Sequence, residues 1–167
     1  MSERGPLRRD AITRARFFLE QARGCRYSDE PAGQEPFEAY MEAAIIFGRI
    51  AIQRLKKSAE RKARGKPSMK AEVKAWWASL EDDPAIMFFR EERNFIVHEG
   101  PPKVGQIIGM GGPVSQKAEA HYYYENSDIP ATDTIERHLN AVENIVRDAQ
   151  ERFGTSSLSG MWWRDLE

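Results

Sequence analysis

Cysteine is almost missing from this sequence. Cys25 stands alone among 167 residues, so no internal disulfide can form, and no CxxC pair or Cys/His cluster surrounds it. It reads as a plain small side chain, and the composition suits a reducing, cytoplasmic setting. Long apolar runs are missing as well. The longest uncharged run, Val104 to Gln116, is too short and too rich in glycine to span a bilayer, so no membrane role is expected. The first residues, MSERGPLRRD, carry charges with no apolar stretch behind them, so no targeting peptide is expected. Histidine occurs three times, and His98, His121 and His138 lack the spacing of metal ligands. Gly109-Met110-Gly111-Gly112 lacks the spacing and the strand-to-helix setting of a dinucleotide loop. Gly65-Lys66-Pro67-Ser68 has no upstream glycine to complete a phosphate loop. No metal and no cofactor are expected.

The composition present is that of an ordinary globular chain, 41% apolar and 31% charged, long enough to bury one core. One domain over residues 1–154 followed by a tail, 155–167, is the expected organisation. The net charge of −1 hides an asymmetry: residues 1–74 hold 17 Lys/Arg against 10 Asp/Glu, and residues 75–167 hold 8 against 16. The basic half suits a polyanion and the acidic half another protein, including a second copy of this chain, unless folding intermixes the two.

Apolar periodicity predicts helices. The first covers about 7–23, with Ile12, Ala15, Phe18, Leu19 and Ala22 as its stripe and Gly24 closing it. Residues 27–36, with two prolines and a glycine, read as a loop. A long second helix over about 36–64 carries Phe37, Tyr40, Met41, Ala44, Phe47, Ala51 and Leu55 at helical spacing. Ile45, Ile46, Ile50 and Ile52 widen that face, as expected of a central helix. Ser68 is expected to cap a third helix over 69–81, without a completed capping box because Ala71 follows three residues on. Asp82-Asp83-Pro84 opens a fourth helix, which Gly100-Pro101-Pro102 stops. Residues 101–131 allow two readings: a small hairpin pairing 104–108 with 120–124, or an irregular excursion. A last helix starts near Thr132 or Asp133. Its seam is Ile135, Leu139, Val142, Val146, Ala149 and Phe153, and Gly154 ends it. The fold class predicted is all-α, an up-and-down bundle of about five helices.

One stretch stands apart chemically. Arg93-Asn94-Phe95-Ile96-Val97-His98 sets a permanent cation, an amide and an imidazole within two turns of the fourth helix. Asn94 and His98, four apart, share a face. Arg93 and His98, five apart, diverge by about 140° around the axis and converge imperfectly in one helix. A second copy packed across a two-fold axis would bring two such sets together.

Arg-Asn-x-x-x-His late in a small all-α chain resembles the signature of HEPN domains. Many of these are metal-independent ribonucleases, often toxins or defence effectors, with the active site at a homodimer interface. The resemblance covers the helical layout, but only Arg93 to His98 is diagnostic. Some HEPN toxins carry a tyrosine two residues after the histidine; Gly100 stands there in this chain, a departure from that subtype. By the family pattern His98 transfers the proton, Arg93 carries transition-state charge, and Asn94 orients His98 or the phosphate. The side chains suit such work, because imidazole titrates near neutrality and guanidinium grips phosphate oxygens in pairs.

The resemblance implies an endoribonuclease acting as a homodimer, with an antitoxin protein as a further expected partner. The alternative is a non-catalytic HEPN-like module that binds nucleotide, RNA or a protein. Lys56, Lys57, Arg61, Lys62, Arg64 and Lys66 form a basic segment suited to RNA phosphates, or else a solvated helix end. Trp76-Trp77 are expected in packing, Tyr122-Tyr123-Tyr124 are open to base stacking, and Trp162-Trp163 are expected to dock on this chain or a partner.

Overall fold

A computed structural model describes residues 10–25, 31–106, 120–122 and 128–155. These form five helices and one two-stranded ribbon, in the order α1 (Ala11–Gly24), α2 (Pro31–Lys62), α3 (Pro67–Leu80), α4 (Pro84–His98), β1 (Val104–Gln106), β2 (Ala120–Tyr122) and α5 (Ala131–Phe153). The all-α bundle is therefore the fold. None of its described helices is long and apolar enough to cross a membrane.

The helix starts follow from capping. Asp10, extended at φ −63° and ψ 168°, accepts from the Thr13 backbone N–H at 2.8 Å and so starts α1 four residues later than the periodicity suggested. Asp83 accepts from the N–H groups of Ala85 and Ile86, and Pro84 occupies the first helical position, where its missing donor costs nothing. Ser68 does not cap α3. Pro67 starts that helix with Lys66 before it, and the Ser68 hydroxyl turns instead to Glu72, 3.4 Å away. At its C-terminus α5 closes as expected, on Gly154 in the left-handed conformation at φ 63°.

The loop expected over 27–36 gives way to helix from Pro31 onward, with Pro36 inside α2. Proline weakens a helix by removing one backbone donor, yet α2 runs on through Pro36. Residues 26–30 lie outside the described residues, as do the glycines 109–112, Tyr123, Tyr124, Trp162, Trp163 and the rest of the tail from 156.

α2 is the central element, contacting α1, α3, α4 and α5. Its core side chains include Met41, Ala44, Ile45, Ala51, Ile52 and Leu55, while Ile46 points outward. The predicted α5 seam is buried along its whole length, from Ile135 to Phe153. Each large aliphatic or aromatic side chain so buried contributes on the order of 1.5–3 kcal/mol. Outside the core, Arg16 and Arg23 of α1 clamp α5. Arg16 reaches Glu136, Asn140 and Glu143, and Arg23 reaches Asp133 and Glu136. Trp76 is buried, as expected, and its indole N–H donates to Asp148 at 2.8 Å, tying α3 to α5. Between α4 and α5 the chain forms the hairpin reading of the two: β1 pairs antiparallel with β2, Val104 opposite Tyr122 and Gln106 opposite Ala120. Residues 107, 108, 123 and 124 of the expected pairing lie outside the described residues.

Candidate functional site

α4 buries Ala85, Ile86, Phe89 and Glu92 against the bundle and presents Asn94, Val97 and His98 to solvent near its C-terminal end. Asn94 and His98 are both exposed there. They line one shallow depression of about 370 Å³, together with Glu91, Phe95, Glu99 and Lys103. The i, i+4 relation read from the sequence thus becomes a shared surface. Lys103, arriving from the turn before β1, sets its ammonium 4.1 Å from the centre of the Phe95 ring and closes one side.

Arg93 is not part of that lining. It is half-buried on the flank of α4 nearer α2, and its Nη1 donates back to Asn94 Oδ1 at 3.2 Å. One chain therefore brings Asn94 and His98 together and links Arg93 to them only through the asparagine. This is the divergence that the 3.6-residue period requires.

Three charged residues near the site escaped the sequence reading. Glu92 faces the core, and burial raises its carboxyl to about 7; Lys103 opposes the rise and Glu91 adds to it. The signal was present, because Glu92 continues the inward row of Ala85 and Phe89 by three or four residues. Arg49 of α2 is half-buried, with its guanidinium pushed below the usual range by burial and then by Arg90 and Arg93. Its signal is that it is the single charge between Ala43 and Ile52. Arg90 is the third, one turn before Arg93.

Compared with known proteins, the chain matches no family model, no curated protein and no solved structure.

The basic segment lies elsewhere, on the last turns of α2 and just past its end. Lys57, Lys62, Arg64 and Lys66 are exposed, and Lys56 sets its ammonium 5.0 Å from the Trp77 ring. Lys57 is eight residues beyond Arg49, about 12 Å along the helix axis. Arg61, also exposed, belongs to the same stretch.

A second, larger cavity of about 730 Å³ lies between α4, β2 and α5, bordered by Phe88, Tyr122, Thr134 and His138. His138 stacks on Phe88, ring centres 4.2 Å apart at 16°. Burial lowers its pKa to about 4, with Arg137 acting in the same sense and Asp83 against, so it is neutral at pH 7. Among the described residues no three His, Cys, Asp or Glu side chains are grouped to hold a metal ion.

Proposed function

We propose that this chain is a HEPN-type endoribonuclease of the cytoplasm, of the toxin or defence-effector kind, that cleaves RNA as a homodimer without a metal. The observation carrying this reading is the placement of Asn94 and His98 in one solvent-open depression, with Arg93 hydrogen-bonded to Asn94. In the reaction the RNA 2′-hydroxyl attacks the adjacent phosphorus and the 5′-oxygen of the next nucleotide leaves, giving a 2′,3′-cyclic phosphate. An imidazole takes the proton from the nucleophile or gives one to the leaving oxygen, and a guanidinium neutralises charge on the phosphorane.

Because Arg93 does not line the depression of its own chain, the full set needs a second copy. Exposed apolar side chains on α4 and α2 support self-association. Val97, one turn after Arg93, is 51% exposed, and Ile46 of α2 is 36% exposed. The basic end of α2 would hold the RNA further along.

The same position of Arg93 favours one other reading, a HEPN-like module that binds RNA or nucleotide without cutting it. Incubation of the purified protein with structured RNA in excess chelator separates the two. Cleavage to cyclic-phosphate ends that falls on the order of 10²–10⁴-fold in both His98→Ala and Arg93→Ala supports the enzyme. Cleavage that is equal in the variants overturns it, and binding without cleavage selects the module.

A further inference from the structure

Among the described residues, half-buried arginines differ in how they are neutralised. Arg16 and Arg23, with side chains 30% and 28% exposed, are neutralised by carboxylates at 2.6–3.4 Å. Arg49 is also half-buried, yet among the described residues no carboxylate lies within ion-pairing distance of it. Its charged neighbours are Arg90 and Arg93. Arg90 approaches a carboxylate only loosely, at 3.9 Å from Glu91, and Arg93 bonds a neutral amide. Arg49 thus has two further cations near enough to act on it, and among the described residues Glu91 is the single carboxylate within 4 Å of the three, an imbalance that costs stability wherever water is partly excluded.

The backbone enforces this meeting. Gly48 lets α2 approach α4 so closely that the Phe89 ring takes the space of a β-carbon. Arg49 and Arg90 are the next residues along from that contact, and Arg93 follows Arg90 on the same face. The Arg93–Asn94 hydrogen bond then joins the cluster to the depression holding His98.

We propose that Arg49, Arg90 and Arg93 form one oxyanion site that grips the phosphodiester backbone of RNA next to the scissile bond. Guanidinium forks match phosphate oxygens in pairs, and a polyanion lying across Asn94 reaches both the cluster and the imidazole. The identity of the polyanion rests on the ribonuclease reading; the oxyanion chemistry does not.

The test uses a fluorescent 2′-O-methyl RNA strand of about 12 nucleotides, which lacks the attacking hydroxyl and so reports binding apart from cleavage. Arg49→Met, which keeps the apolar stem, is expected to weaken binding on the order of tenfold or more. It should flatten the salt dependence by about one charge, with a melting temperature equal to or above wild type. Arg90→Gln, at a more exposed position, should weaken binding in the same direction and guards against a folding defect at Arg49.

Unchanged binding and salt slope in both variants overturns the grip, and if cleavage still requires His98 the ribonuclease reading survives alone. Arginine-dependent binding with no cleavage leaves the grip standing and removes the nuclease. Failure of wild type to bind the strand, or dissociation of a dimer by Arg49→Met in sedimentation, overturns the proposal, the latter by assigning the arginines to carboxylates of a second copy.

Discussion

The ring of Phe89 in α4 occupies the space that a β-carbon at Gly48 in α2 would need. Glycine is destabilising in mid-helix by roughly 0.5–1 kcal/mol relative to alanine, and here the loss is offset by close contact between two buried helix faces. Next along from that contact are Arg49 and Arg90, and Arg49 is acted on electrostatically by Arg90 and Arg93.

Gly48→Ala should therefore destabilise the protein despite its better helix propensity. Phe89 is fully buried and cannot swing aside, so overpacking of about 1–3 kcal/mol is expected. Urea unfolding followed by circular dichroism measures it. A midpoint at or above wild type would mean that α2 and α4 do not approach this closely.

Trp76→Phe tests the tie between α3 and α5. The indole N–H donates to Asp148, which also accepts from Arg152 Nε at 2.6 Å. Phenylalanine keeps most of the apolar contact with Phe153 and loses the donor. A loss of about 1–2 kcal/mol is expected, and Asp148→Asn, which still offers an acceptor, should cost less.

Glu92 makes stability fall as pH rises. Its carboxyl titrates at about 7 in the fold against 4.5 ordinarily, so the folded state holds the extra proton between these values. The stabilising effect is fully present below 4.5 and is lost as pH passes 7. Glu92→Gln should match wild type near pH 4.5 and exceed it by about 1–3 kcal/mol at pH 8. Equal midpoints at both pH values would place Glu92 in water.

His138 acts in the opposite sense. Its folded pKa of about 4 lies below the ordinary 6.5, so its contribution is complete above 6.5 and is lost as pH falls toward 4. Partial exposure screens the effect, and roughly 1–2 kcal/mol is expected over that window. Replacing it with glutamine should flatten the acid side of the stability profile, read as chemical denaturation midpoints at pH 7 and pH 4.5.

Much of the bundle was legible in the sequence. The alternating three- and four-residue steps of Ile135 to Phe153 marked the buried seam of α5, and Asp83-Pro84 marked the first turn of α4. Gly154 marked where α5 stops. Ser68 and the loop over 27–36 misled for a common reason. Proline reads as a breaker inside a helix but suits its first turn, where the missing N–H has no partner, and α2 starts at Pro31 and α3 at Pro67.

The sequence by itself determined the helical class, the spacing of Arg93, Asn94 and His98, and the shared face of the last two, because helical period is a property of the chain alone. Only the tertiary structure decided that Arg93 lies outside the lining of the depression, that Arg49 of another helix acts on Arg93 and Arg90, and that Glu92 sits in the core. Such meetings depend on how closely two helices approach and at what rotation. Side-chain shapes set both across the gap, among them the absent β-carbon of Gly48 and the ring of Phe89 that fills its place.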